Sequence, residues 1–180
     1  YIETKLDENE NPSPDIREIQ NIEKAMEFIE ENVLDYPINK TFLSELHKMI
    51  VHGLLPPPNG EGDHSPGIYR KNNLKINKSN HIPPDYLVVN DYMQELLNFI
   101  GKDDSRKYDL LKAAIAHHRF VWIHPYGNGN GRTVRLFTYA MLVKTGFNVN
   151  VGRIINPTAV FCSNRNDYYN KLSKADTGTS

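Results

Sequence analysis

Nine consecutive residues, His124-Pro125-Tyr126-Gly127-Asn128-Gly129-Asn130-Gly131-Arg132, combine a proton acceptor with the means to hold an anion. Histidine is the side chain whose ordinary pKa lies closest to neutrality. Glycines at the alternate positions 127, 129 and 131 let main-chain amides approach a ligand closely. The run leads directly into a stretch with helical periodicity, and a helix start offers unpaired N–H groups and the positive end of a dipole. Arg132 and Arg135 add fixed positive charge on that first turn. A base, an anion cradle and guanidinium groups suit a reaction in which a base meets a phosphate. Such a reaction needs a proton acceptor, preorganised stabilisation of the phosphoryl oxygens, and alignment of the attacking group. His124 precedes a proline, which disfavours helical backbone, so it belongs at the end of an element and faces the loop. Asn-Gly pairs also favour hairpin turns. Here the flanks carry helical rather than alternating patterns, and with His124, Arg132 and Arg135 added the anion-site reading prevails.

The elements that must position this loop are mostly helical. Asp15, with Glu18 three residues on, is the expected cap of a first helix carrying Ile16, Ile19, Ile22, Met26, Ile29 and Val33, closed before Pro37. Phe42, Leu43, Leu46, Met49 and Ile50 mark a second helix that ends near Gly53. Residues 54–67 are rich in proline and glycine and must be irregular. Ile68 to Ile76, followed by Asn77-Lys78-Ser79-Asn80, reads as a small exposed hairpin, with Lys71, Lys75 and Lys78 on its solvated face. A third helix follows Asp85 and carries Met93, Leu96, Leu97 and Ile100. A fourth opens at Asp104 or Ser105 and runs through Leu110, Leu111, Ala114, Ile115 and His118 towards Phe120 and Trp122. A fifth spans about Arg132 to Lys144, stopped by Thr145-Gly146, and a last short helix starts at Asn166 or Asp167 with Tyr168, Tyr169 and Leu172.

Composition narrows the function further. The 180 residues make one domain with room for a core. A formal net charge of -1 leaves no basic field for nucleic acid. No apolar run reaches membrane-spanning length, so no membrane partner is expected. The single cysteine, Cys162, excludes an internal disulfide and fits the reducing cytoplasm. No secretory signal opens the chain. His117 and His118 have no cysteine or acid at ligand spacing and read as core or satisfied helix histidines rather than a metal site. Oligomeric state leaves no mark in the sequence.

The 124–132 run resembles the signature of the Fic-domain family, His-Pro-Phe-x-Asp/Glu-Gly-Asn-Gly/Lys-Arg, with Tyr126 in place of the phenylalanine and Arg135 matching a frequent second arginine. Gly67-Ile68-Tyr69-Arg70 is similar to the run that opens the family's β-hairpin flap, and His81-Ile82-Pro83-Pro84 to its return. Leu96-Leu97-Asn98-Phe99 matches the following helix, and Asn164-Arg165-Asn166-Asp167-Tyr168-Tyr169 the segment near the nucleotide base. The likeness covers roughly residues 15 to 176. It implies a mainly α, Fic-type helical bundle with a small β-hairpin flap. It makes residues 1–14 an N-terminal arm, the remnant of an inhibitory segment, and residues 15–180 the Fic domain, cut short at its C-terminal end.

The resemblance also implies an activity, the transfer of AMP from ATP to a Ser, Thr or Tyr hydroxyl of a target protein. His124 would be the general base, and the backbone of Gly129, Asn130 and Gly131 the anion hole. Arg132 and Arg135 would hold the β- and γ-phosphates, with Tyr168 or Tyr169 near adenine and Asp176 near the ribose. The flap, residues 68–82, would receive the target protein by strand addition. Asn128 stands where the family has its Mg²⁺-binding carboxylate. An amide oxygen can ligate this hard cation but brings no charge, so metal binding should be weakened and Asn128→Asp should raise Mg²⁺-dependent transfer. That leaves an alternative: a nucleotide-binding regulatory module with weak or no AMP transfer, or one that uses another phosphate donor. Ile2-Glu3 is similar to the Ile-Glu of the family's inhibitory helix, which would pair Glu3 with Arg135.

Overall fold

A computed structural model describes residues 12–76, 79–103, 105–147, 161 and 163–177. Its elements are α1 (Pro14–Asn32), α2 (Lys40–Val51), α3 (Val89–Ile100), α4 (Asp109–Ile123), α5 (Asn130–Lys144) and α6 (Arg165–Thr177), with short 3₁₀ turns at Tyr86–Val88 and Arg106–Tyr108. Glu3 lies outside the described residues, as does Cys162.

The helices start where local chemistry can satisfy their first N–H groups. Asn39 accepts from the Phe42 N–H at 2.9 Å and opens α2. Asp85 accepts from the Leu87 N–H at 2.9 Å and starts the turn leading into α3. The cap of α1 is Ser13 rather than the expected Asp15. Pro14, with its fixed φ and missing N–H, suits the first helical position, so the cap falls on the residue before it. Asp15 then sits in the first turn, where its charge meets the positive end of the helix dipole.

α5 is the axis of the bundle. Leu136, Tyr139, Ala140 and Val143 on one side meet Ala25, Ile29 and Val33 of the first helical segment and Leu46 and Ile50 of α2. Val134, Phe137 and Met141 on the other side meet Leu43, Met93, Leu96 and Phe120. α4 runs back along α5, and α3 covers the outer face of α4. Because α5 is buried nearly all round, its apolar pattern is not a single stripe.

The hairpin expected over residues 68–82 forms no strand ladder among its described residues. Side chains tie its two arms together at the base instead. Asn73 donates to Asp85 at 3.0 Å and accepts from the Tyr86 N–H at 2.9 Å. Arg70 reaches the Pro84 carbonyl at 2.5 Å. Pro83 and Pro84 have no N–H to contribute to a ladder, which explains the preference for side-chain ties.

No described helix is long and apolar enough to cross a membrane. Phe137 is fully buried between the two halves of the core. Phe137→Ala should therefore cost about 3–5 kcal/mol of unfolding free energy, read from the urea midpoint at unchanged slope.

Candidate active site

The site forms where α4 ends and α5 begins. Five residues of backbone separate Ile123 from Gly129, and a left-handed residue stands at each end. His124 caps α4 at φ 52, ψ 63, the sole described non-glycine residue with positive φ. Gly129 caps α5 at φ 72. The chain between them is closed by Asn130, whose side-chain oxygen accepts from the Tyr126 N–H at 2.9 Å and whose amide donates to the Tyr126 carbonyl at 2.8 Å. The Asn130 side chain is thus a clamp on the loop, and its main-chain N–H remains for other use.

The first turn of α5 has no side-chain cap. The first intrahelical bond comes from Thr133, whose N–H donates to Gly129 O at 3.0 Å. The N–H groups of Asn130, Gly131 and Arg132 precede that bond and are orphaned by helix geometry, which makes the turn an anion cradle.

His124 is half-buried, and its Nδ1 lies 3.3 Å from the Val121 carbonyl. A carbonyl oxygen only accepts, so Nδ1 carries the proton and Nε2 keeps its lone pair. Burial pulls the imidazole pKa down to about 4. The bond to Val121 opposes that shift, and the Arg70 and His81 charges reinforce it. The ring is therefore neutral at physiological pH.

Two supports missed in the sequence hold the loop from behind. His47 of α2 is fully buried and stacked on Tyr126, with centroids 3.8 Å apart and planes 6° from parallel. Its Nδ1 accepts from the Gly67 N–H at 2.8 Å, so Nε2 carries the proton and donates to the Asn128 carbonyl at 3.0 Å. Burial lowers the His47 pKa and keeps this neutral tautomer. Asp63, almost buried, accepts from the Asn128 N–H at 2.7 Å and from the Ser65 N–H at 2.7 Å. The Asn128 side-chain nitrogen donates to Gly62 O at 2.9 Å, and no hydrogen bond among the described residues uses its Oδ1. His47 had a detectable signal, a histidine on the apolar face of α2 beside Leu43, Leu46 and Ile50. Asp63 had none, lying in an irregular loop.

The two arginines differ. Arg132 is 6% exposed and hydrogen-bonds the Glu61 carbonyl, with the Glu18 and Glu61 carboxylates each 3.7 Å away. Arg135 has a buried Nε with no hydrogen-bond partner, and its Nη1 lies 3.5 Å from where a Cβ on Gly131 would stand. Arg135 is thus the guanidinium beside the orphaned turn.

α6 docks on α4 beside these groups. The Tyr168 hydroxyl donates to His117 Nε2 at 2.8 Å, and His117 Nδ1 donates to Thr138 Oγ1 at 2.7 Å, because Thr138 spends its own proton on Val134 O. Tyr169 is 50% exposed and packs against Tyr168 with centroids 5.2 Å apart and the rings tilted by 52°. Asp176 pairs with His118 at 3.0 Å. His117 is thus a satisfied core histidine. Among the described residues no group of three His, Cys, Asp or Glu is placed to hold a metal.

A profile of the Fic/DOC family matches residues 37–142, more than half of the chain. The chain belongs to the Fic/DOC family. Proteins named protein adenylyltransferase Fic are similar over 98% of this chain, at 25% identity in Nematostella vectensis and 27% in Drosophila mojavensis. The chain spans only 38% and 32% of those two Fic relatives. The Fic fold is shared with Fic-1 of C. elegans, with TM-score 0.72 at 22% identity over 98% of this chain and 48% of that one. It is shared too with a Fic family protein of Desulfovibrio desulfuricans G20, with TM-score 0.70 at 22% identity over 95% of this chain and 49% of that one. These matches bear out the family and the mainly helical architecture read from the sequence.

The buried histidines of this Fic domain should make its stability fall in acid. His117, like His124, is held down to about 4, chiefly by burial, whereas an unfolded histidine titrates near 6.5. Below 6.5 the unfolded chain binds protons that the folded chain refuses, so stability falls as pH falls and is fully present above 6.5. His117 alone should remove about 2 kcal/mol between pH 7 and pH 5, measured by urea unfolding. Unfolding free energies that are equal at the two pH values would contradict the assignment.

Proposed function

We propose that this Fic domain transfers AMP from ATP to a hydroxyl side chain of a target protein. The observation that carries the reading is a neutral histidine with a free Nε2, joined by a closed loop to an uncapped helix start with orphaned N–H groups. The names of the relatives support it. His124 takes the proton of the incoming Ser, Thr or Tyr hydroxyl on Nε2. The hydroxyl oxygen bonds to the α-phosphorus, the bond from that phosphorus to the bridging oxygen breaks, and pyrophosphate leaves. The N–H groups of Asn130, Gly131 and Arg132 stabilise the phosphoryl oxygens without reorganising. Arg135 neutralises the leaving phosphates, and Arg132 contributes from behind, between Glu18 and Glu61. Tyr168 and Tyr169 border the nucleotide base, and residues 68–82 receive the target protein. The single cysteine fits action in the cytoplasm.

Mg²⁺ fits this site as a metal ligated mainly by phosphate oxygens and water. With its amide nitrogen fixed to Gly62, Asn128 offers one neutral oxygen, Oδ1, while both Asp63 oxygens already accept N–H groups. When bound, the ion would offset charge on the triphosphate.

A second reading has its own support: Asn128 and Arg132 are both engaged by protein groups. It makes the domain a nucleotide-binding module with little transfer, or one using another phosphate donor. Labelled ATP with lysate and Mg²⁺ separates the two. Under the first reading His124→Ala lowers protein labelling roughly 10²–10⁴-fold while ATP affinity is nearly unchanged. ATP binding without any His124-dependent label favours the second.

Asn128→Asp replaces a donor with a charged acceptor. It should raise Mg²⁺-dependent labelling and, by losing the bond to Gly62, lower unfolding free energy by about 1 kcal/mol. Unchanged metal dependence would remove Asn128 from the metal's surroundings.

A further inference from the structure

Arg70 lies in the segment after α2, far in sequence from the catalytic loop, and is 7% exposed. No carboxylate lies within ion-pair distance of it among the described residues. Carbonyl oxygens surround its guanidinium instead. Nε donates to His124 O at 2.9 Å, and Nη2 donates to Pro84 O at 2.5 Å and to Ile123 O at 3.4 Å. Nη1 donates to Asn72 O at 3.0 Å. Its own main-chain N–H donates to Pro125 O at 2.8 Å. Three consecutive carbonyls, 123, 124 and 125, are therefore held by this one residue.

We propose that Arg70 is the positioning residue for the base, holding His124 in its left-handed conformation by gripping the carbonyls on both sides of the turn. The inference rests on the reading of His124 as the proton acceptor. A non-glycine residue in the left-handed region is strained and persists only where its surroundings over-determine it. Ile123 O and His124 O are among the last carbonyls of α4, which carry the negative end of its dipole and lack intrahelical partners. A planar fork with five donors can meet several of them at once, which an ammonium on a flexible stem cannot. The same guanidinium joins the turn to Asn72 in the 68–82 segment and to Pro84 just past its returning end. The position of His124 and the base of the 68–82 segment are thus tied through one side chain.

The charge has a second consequence. The charged or titratable groups acting on the His124 ring are Arg70, from the segment after α2, and His81, from the returning arm of residues 68–82. Arg70 disfavours a proton on the ring, so its loss should raise the pH at which His124 titrates.

The test compares wild type, Arg70→Met and Arg70→Lys. It reads the His124 imidazole titration by NMR on ¹⁵N-histidine protein, the ATP dissociation constant by calorimetry, and the AMP-transfer rate against pH. Arg70→Met should move the His124 midpoint up. It should also slow transfer roughly tenfold or more while leaving the ATP dissociation constant within about twofold. Arg70→Lys keeps the charge and loses the fork, so the midpoint stays near wild type while transfer is still slowed. A rate near wild type in Arg70→Met overturns the proposal. So does a parallel loss of binding and transfer with an unmoved His124 midpoint. Should Arg70→Met fail to fold, Arg70→Lys decides: a wild-type rate overturns the proposal, and slowed transfer at unchanged ATP affinity supports it. If wild type transfers no AMP, the functional reading fails by itself. The His124 titration and the hydrogen exchange of the Ile123, His124 and Tyr126 amides then still decide whether Arg70 holds the turn.

Discussion

The tight reversal between α4 and α5 is the constraint on which the rest of the molecule depends. Two long helices pack antiparallel, and the backbone between them has no slack. It reverses by putting left-handed residues at both ends, His124 and Gly129. Glycine takes that conformation at no steric cost, whereas histidine does not. At Gly129 the demand is doubled, because a side chain there would also meet Val51 at 3.1 Å and His47 at 3.4 Å. Tyr126 fixes the depth of the loop. It is fully buried, stacked on His47, and its hydroxyl donates to Leu43 O at 3.2 Å. The exchange of bonds between Tyr126 and Asn130 then makes the loop a closed ring from which main-chain N–H groups project at the start of α5.

A turn of this kind buries polar groups, and each must be satisfied. The net gain from one hydrogen bond is about 1 kcal/mol, but an orphaned buried partner costs about 1–3 kcal/mol. The asymmetry makes the surrounding network sharp rather than merely stabilising. His47 spends one nitrogen on Gly67 and the other on Asn128. Ser44, one turn earlier on α2, donates to Gly67 O at 2.8 Å, so Gly67 is held on both its amide and its carbonyl. Asp63 takes the main-chain N–H of Asn128 and Gly62 takes a side-chain N–H. Each bond joins the loop to an element distant in sequence, so the position of the N–H groups is set by α2 and the 61–67 segment as much as by the loop itself.

This pattern explains what could be read from the sequence. Helical periodicity and turn residues are local, and α2, α3, α4 and α5 fall close to where their apolar spacing put them. The nine-residue run could be read as a candidate base and anion cradle because their ingredients are contiguous. The errors were also physical. Asp15 and Ser13 are both good caps, and only the preference of proline for the first helical position separates them. The 68–76 stretch alternates well enough to suggest a strand, but its tie to residues 84–86 goes through Arg70 and Asn73 side chains. Asp63 and Asn128 are 65 residues apart, and His47 and Asn128 are 81 apart. Nothing local marks Asp63, and the apolar face that marks His47 does not name its partner, since the pairing with Asn128 exists only once the chain has packed.

The same packing divides two arginines that the sequence treats alike. Arg132 and Arg135 are three residues apart, on one face of α5. α1 and the 61–63 loop close over the first, where Glu18 and Glu61 offset the cost of burying its charge. Burial is nevertheless the largest influence on Arg132, and it lowers the pKa of the guanidinium. Such a group ties α1 and the loop to the start of α5, and leaving that position would expose two acids to each other. Arg135 has no acidic partner among the described residues and sits against Gly131. Its buried, unpaired Nε leaves one donor whose desolvation is offset by nothing on the described chain. An anion at the α5 turn would relieve that cost, so the charge without a protein partner stands where the helix start already favours negative charge. The environment, rather than residue type, makes one arginine a brace and leaves the other without an acidic partner among the described residues.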